Sequence, residues 1–339
     1  PGVGVRSCAT VAVPRRAAPR ALARWARSRW PWDATKLAYE LVRGDLVAAL
    51  AQREHELVWL IDSSGWPAMP GGRSDGALLV DFDDLEDYKI EHRRASEPRW
   101  PSGAKDLLFR MIDRIDMQRW RRLQNVVREA ADGVLVCSDL DCSRLGFTDV
   151  HRVPNGYLLP QAIDGPAPQI DHRLLFAGNL TYRPNLEALQ ILIDRVMPVL
   201  RQEVPDAQLR VVGAVTPDVE RWLRDPAVAF LGRVESIETE LRGAICTAPL
   251  MSGGGTRIKI VEAFAHRAPV VATTVGAEGL DVVDGEHLII RDDPVQFAHA
   301  CVELMRSPDI VERLTHAAAA LYDAEYTVVL ASRESTATA

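Results

Sequence analysis

Short apolar runs alternate along this chain with stretches in which apolar residues recur every three or four positions. The rhythm is clearest after residue 170, where the runs are Leu174–Ala177, Leu209–Val212, Val228–Leu231, Ala244–Ala248, Val270–Thr273 and Leu288–Ile290. A strand covered on both faces needs apolar side chains at nearly every position, so such runs predict the central strands of a parallel sheet. Between the first two runs, Leu186, Leu189, Ile193, Val196 and Leu200 share one helical face. Strand and helix in alternation predict an α/β fold, a parallel sheet with helices on both sides, of the size of a Rossmann-like domain. The first half carries fewer such signals. Leu57–Ile61, Ala77–Val80 and Gly133–Val136 read as buried strands, and Leu37–Ala51 and Trp120–Ala131 as helices. A complete doubly wound domain needs more strands ahead of these, so the first domain is read as incomplete at its start.

The two halves meet in a run of chain breakers: Pro154, Gly156, Pro160, Gly165, Pro166 and Pro168. Tryptophan usage changes across it, since seven of eight lie before residue 121. The expected domains are therefore 1–160 and 170–325, followed by a tail over 326–339. A length of 339 residues agrees with two domains. With 47% hydrophobic and 26% charged residues the chain is neither disordered nor fibrous, and no apolar run is long enough for a spanning helix.

The net charge of −7 argues against a general nucleic-acid binder. It hides a basic opening: residues 1–30 hold seven arginines and no acid. No apolar stretch of signal-peptide type follows, and the chain starts with Pro1, so an incomplete or processed N-terminus is the reading. Arg15 to Arg29 together with Trp25, Trp30 and Trp32 has the composition of a helix resting on anionic lipid; a solvated helix is the alternative. Cys8, Cys137, Cys142, Cys246 and Cys301 are odd in number and lack metal-site spacing. They read as free thiols in a reducing cytoplasm, at most at the inner face of a membrane.

Chemistry concentrates in Pro249–Ala265. A strand ends at Ala248, Gly253, Gly254 and Gly255 follow, then Thr256 in a cap position and an apolar-periodic helix from Arg257. Glycines let a ligand come close to the backbone, and a helix N-terminus offers unpaired amides and partial positive charge. Arg257 and Lys259 put two cations in the first turn, against the helix dipole, which makes sense when an anion sits there. Glu262, three residues after Lys259, shares its face. Amides, two cations and a carboxylate suit a sugar nucleotide: diphosphate on the cations, ribose hydroxyls on the acid. The alternative is a glycine turn with a surface Lys–Glu pair. A second segment, Phe176-Ala177-Gly178-Asn179 to Arg183-Pro184-Asn185, ends the domain's first strand, and ligands of open α/β sheets bind at such strand ends.

These two segments resemble the GT-B glycosyltransferases of family 4, and in particular a bacterial subgroup with a G-N/S-M-x-x-x-P-N segment and a G-G-G-T-R-x-K-x-x-E-A motif. The chain shows Gly178-Asn179-Leu180 with Pro184-Asn185, and Gly253 to Ala263; Thr273 to Leu280 adds a further loop, and Val153-Pro154-Asn155-Gly156 a weaker match. The resemblance implies two Rossmann-like domains facing across a cleft and a retaining transfer of sugar from a nucleotide-diphosphate donor. UDP- or GDP-sugar is the expected donor, with no metal, for a glycan or lipid-linked acceptor in polysaccharide biosynthesis. Glu262 then corresponds to the second Glu of an E-x7-E motif, which holds the ribose. Gly254 stands where the first Glu would contact the sugar. Gly178, Asn179, Arg183, Gly253, Gly254, Gly255, Thr256, Arg257, Lys259 and Glu262 are the expected donor-binding residues.

In the first half, Asp81 to Asp87 follows an apolar strand and resembles the family position that faces the donor sugar. Asp83 and Asp84 are the catalytic candidates, Asp84 first. A strand-ending turn with an acidic helix start is the alternative, and a divalent-cation site a further one. Ser138 and Asn155 could line the cleft or serve turns. Two other functions stay open: a catalytically silent nucleotide-sugar-binding protein, which the missing Glu permits, and a sugar-nucleotide epimerase, for which no acid–base pair stands out.

Overall fold

A computed structural model describes residues 21–35, 56–69, 76–95, 104–158, 169–215 and 227–328. The helix expected over Leu37–Ala51, the arginines up to Arg20, the breakers from Pro160 to Pro168 and the tail beyond Val328 lie outside those residues.

The first domain contains α1 (Ala21–Arg27), β1 (Leu57–Ile61), β2 (Ala77–Asp81), α2 (Glu86–Ala95), α3 (Ala104–Ala130), β3 (Gly133–Val136), α4 (Asp139–Leu145) and β4 (Val150–Arg152). Its four strands are parallel in the order β1-β2-β3-β4. Leu78, Val80, Leu123, Val127, Val134 and Val136 form its core. The helix expected from Trp120 begins at Ala104. β4, a Val-His-Arg tripeptide of mixed polarity, gave no apolar run.

The tryptophans near the start turn inward. Trp25 is buried, its indole N–H donates to Asp116 at 2.7 Å, and Arg119 lies over its ring at 4.6 Å. Trp32 meets Trp25 edge to face at 6.2 Å between centroids, and Trp30 packs on the domain core. Trp25 and its neighbours are thus occupied in packing against α3.

The second domain contains β5 (Arg173–Ala177), α5 (Arg183–Ile191), a widened turn (Leu192–Val196), α6 (Met197–Glu203), β6 (Gln208–Val212), β7 (Val228–Gly232), α7 (Glu238–Leu241), β8 (Ile245–Ala248), α8 (Ile258–Ala265), β9 (Val270–Ala272), α9 (Thr274–Ala277), β10 (Ile289–Ile290), α10 (Pro294–Arg306) and α11 (Pro308–Leu321). All six expected strands are present. They are parallel, and from one edge the order is β7-β6-β5-β8-β9-β10. That is the doubly wound arrangement, with the reversal of direction between β5 and β8, where such sheets open a crevice for ligands. Alternation along β5 sends Leu174 and Phe176 to one core and Leu175 to the other, so both faces are covered.

After β4 the chain crosses to the second domain through Tyr157, which pairs with Thr327. A widened turn, Tyr322–Tyr326, follows α11 and brings the chain back to that crossing. The domains also meet through charge: Arg152 bonds Asp281 and Glu325 at 2.9 and 3.0 Å, and Arg144 pairs with Glu278. Cys137, Cys142, Cys246 and Cys301 are free thiols.

Candidate functional site

The glycine segment lies at the β8 side of the crevice. Gly253 and Gly255 adopt φ of +127° and +72°, angles that disfavour any side chain. Helix α8 is capped by Arg257 rather than Thr256. The reason is local: Arg257 has non-helical dihedrals (φ −79°, ψ 71°), and the Ile258 N–H turns back to the Thr256 carbonyl at 2.9 Å. The Arg257 side chain is 7% exposed and donates to the carbonyls of Gly254 and Val275. It braces the glycine turn against α9 and lines the crevice.

Lys259 is the unusual cation. Its ammonium lies deep among protein atoms, donating to Asn185 Oδ1 at 3.0 Å and sitting over the Phe176 ring at 4.6 Å. Among the described residues no carboxylate forms an ion pair with it. Burial pulls its pKa down to about 8. Asn185 also donates to the Asn179 carbonyl at 3.1 Å. A Cβ on Gly178 would lie 2.9 Å from Asn185 Cγ, so this glycine makes room for the side chain that holds Lys259.

Glu262 faces the same space, and burial raises its pKa. The surface Lys–Glu pair considered from the sequence is not what forms, because the Lys259 ammonium turns to Asn185. A pocket of about 310 Å³ is lined by Gly178, Tyr182, Asn185, Thr256, Arg257, Lys259 and Glu262, among others. It sits at the reversal point of the sheet.

Two expected residues turn elsewhere. Arg183, the first residue of α5, points along the helix to Glu187 at 2.7 Å and is largely exposed. Asn179 accepts from Thr181 N–H and hydroxyl at 3.0 and 2.8 Å, closing its own turn. Asn185, two positions after Arg183, is the residue of this segment that reaches Lys259. Side-chain direction at a helix start decides between them, and spacing alone does not show it.

The first domain closes over the glycine turn. Asp84 and Glu86 both pair with Lys89, and a Cβ on Gly254 would lie 2.8 Å from Lys89 Cγ. A Cβ on Gly255 would collide with Asp84 Oδ1. His92 Nδ1 lies 3.2 Å from the Gly253 carbonyl oxygen. Gly254 and Gly255 thus admit α2 and its preceding turn, not only a ligand. Asp84 Oδ1 is buried without a hydrogen-bond partner, and burial raises the pKa of this acid. Asp83 is exposed, and it accepts from Asn155 at 3.0 Å. Its own amide closes a turn on Asp81. The turn and the acidic helix start weighed from the sequence are both present, yet Asp84 alone faces the second domain. Ser138 caps α4 by accepting from the Asp141 amide at 3.1 Å. Among the described residues no group of three or more metal-ligating side chains comes together.

Two parallel α/β sheets with a crevice at the strand ends define the GT-B class of fold. Residues 171–307 match the family described as glycosyl transferases group 1. The chain is 30% identical over 187 residues to a phosphatidyl-myo-inositol mannosyltransferase of Mycobacterium leprae, covering 51% of this chain and 48% of that protein. It is 30% identical over 135 residues to an uncharacterized 44.6 kDa protein in the cps region of Klebsiella pneumoniae, covering 37% and 35%. The chain thus spans half or less of the length of these relatives. Among solved structures, Anabaena HepE in complex with UDP and glucose aligns with a TM-score of 0.66 at 14% identity, over 87% of this chain and 82% of that one. No described helix is long and apolar enough to cross a membrane.

Proposed function

We propose that the protein is a retaining glycosyltransferase of the GT4 kind, moving a sugar from a nucleotide-diphosphate donor to a glycan or lipid-linked acceptor. One observation carries the reading: a deep ammonium, Lys259, with no carboxylate partner among the described residues, stands beside Arg257 and Glu262 at the reversal point of the sheet. A buried cation without a counter-ion is costly, and an incoming diphosphate supplies the missing charge. As the diphosphate leaves the sugar, Lys259 and the nearby charge of Arg257 balance the charge that develops, without a metal. Glu262 receives the ribose hydroxyls. Asp84 reaches across from the first domain to a donor hydroxyl, with its unpartnered oxygen in the place left open by Gly255. HepE is named in complexes with UDP and with UDP-glucose, which favours UDP over GDP as the nucleotide. The mycobacterial relative's name favours a lipid-linked acceptor.

One alternative has an observation of its own. Lys89 packs against Gly254, where the resemblance places a sugar-binding Glu, so a silent nucleotide-sugar binder is the second reading. Calorimetric titration of UDP and GDP against wild type and Glu262→Ala tests the site. Wild type is expected to bind one nucleotide, and the variant about tenfold more weakly. Absence of binding by wild type defeats both readings. Turnover of the donor sugar then separates enzyme from binder.

A further inference from the structure

Arg257 owes its place to two carbonyl groups, and both can be followed to the first domain. Its guanidinium donates to the Gly254 carbonyl and, through Nε and Nη2 at 3.3 and 3.1 Å, to the Val275 carbonyl. Val275 lies in α9, and its carbonyl also accepts from the Glu278 amide at 3.4 Å. Glu278 is thus bonded to one anchor of Arg257. The α9 turn is itself seated on the strand that leads into the glycine turn, since a Cβ on Gly276 would collide with the Ala248 carbonyl oxygen.

The Glu278 carboxylate faces the first domain. One oxygen pairs with Arg144 of α4, and the other lies 3.7 Å from His92 Nε2 on α2. All three side chains are largely withdrawn from water. Arg144 is held in turn by Asp141 at 3.4 Å and by the Tyr88 ring, whose centroid lies 4.5 Å from its guanidinium carbon. His92 Nδ1 lies 3.2 Å from the Gly253 carbonyl oxygen. That oxygen only accepts, so Nδ1 carries a hydrogen. One imidazole therefore borders both supports of Arg257, the glycine turn at one nitrogen and Glu278 at the other.

We infer that Glu278 is a positioning residue for Arg257: held by Arg144 and His92 of the first domain, it fixes the Val275 carbonyl and with it the guanidinium that stands beside the diphosphate. This rests on the donor site proposed above. An arginine side chain is costly to order, and one that is ordered before the ligand arrives spares that cost on binding. The donor-site cation is then placed by contact between the domains and not by α8 alone. Arg152 supplies the control. It also crosses the domain boundary, to Asp281 and Glu325. Among the described residues, neither of these partners bonds a carbonyl that holds Arg257.

Calorimetric titration of UDP compares wild type, Glu278→Gln, Arg144→Gln and Arg152→Gln, with thermal melting to check that each keeps its fold. Glu278→Gln keeps the shape and removes the charge that Arg144 grips. Arg144→Gln removes the grip from the other domain, away from the pocket lining. Each should lose about tenfold in UDP affinity, and the double variant no more than either alone. Arg152→Gln should stay within about twofold of wild type. Arg257→Lys keeps a cation but gives up the fork to Val275, and should itself lose about tenfold. In that background Glu278→Gln should cost nothing further. Unchanged UDP affinity in Glu278→Gln, a loss matched by Arg152→Gln, or the same loss persisting beside Arg257→Lys overturns the inference while leaving the donor site standing. Failure of wild type to bind UDP or GDP removes the donor site and the inference with it.

Discussion

Lys89 and Lys259 make an instructive pair, one from each domain and both largely withdrawn from water. Lys89 lies between Asp84 and Glu86, and these carboxylates drive its pKa upward despite burial. Lys259 has an amide oxygen and an aromatic face for company, and burial drives its pKa down to about 8. The same side chain serves two purposes according to where its counter-charge comes from. A cation neutralised within the protein holds structure together. On the proposed reading, a cation left without a carboxylate among the described residues awaits an anion from outside.

That contrast breaks most easily at Lys259. Lys259→Met should weaken UDP binding by about a hundredfold, since hydrogen bonds to charged groups in a dry site are among the strong ones. Its melting temperature should not fall, because an uncompensated cation has been removed. Lys89→Met should do the reverse. It leaves Asp84 and Glu86 facing each other without a cation, and loss of about 2 kcal/mol of stability is expected in urea unfolding. Should Lys89→Met instead leave stability intact and abolish nucleotide binding, the two roles were assigned the wrong way round. The smallest effect belongs to Arg183. Its guanidinium is exposed and paired with Glu187, so Arg183→Ala should leave UDP affinity within about twofold.

The two domains were also unequally readable. The strands of the second domain are covered on both faces, so each of the six announced itself as an apolar run. Short or mixed-polarity elements did not: β4 is three residues with histidine at its centre. The local part of the site was legible, because Gly253 to Glu262 is one continuous turn and helix whose spacing carries the geometry. What escaped was non-local. Nothing near Gly255 in sequence says that Asp84 comes down on it. Side-chain direction was hidden too: Arg183 pairs with Glu187, and Asn185 is the residue that reaches Lys259. The glycines were read as space for a ligand, and part of that space is taken by the opposite domain.

The central claim is that Lys259 waits for a diphosphate, and protons report on it directly. With a pKa near 8 in the free protein, Lys259 is about three-quarters neutral at pH 8.5, and ion pairing with the diphosphate restores its charge. The sign follows from that shift: bound protein holds more protons than free protein, so UDP affinity falls as pH rises through 8. Calorimetric titration of UDP at pH 8.5 in two buffers of different ionisation heat measures the exchange. The expected result is uptake of about three-quarters of a proton in wild type, absent from Lys259→Met. Binding without proton uptake, or the same uptake in the variant, would contradict the account.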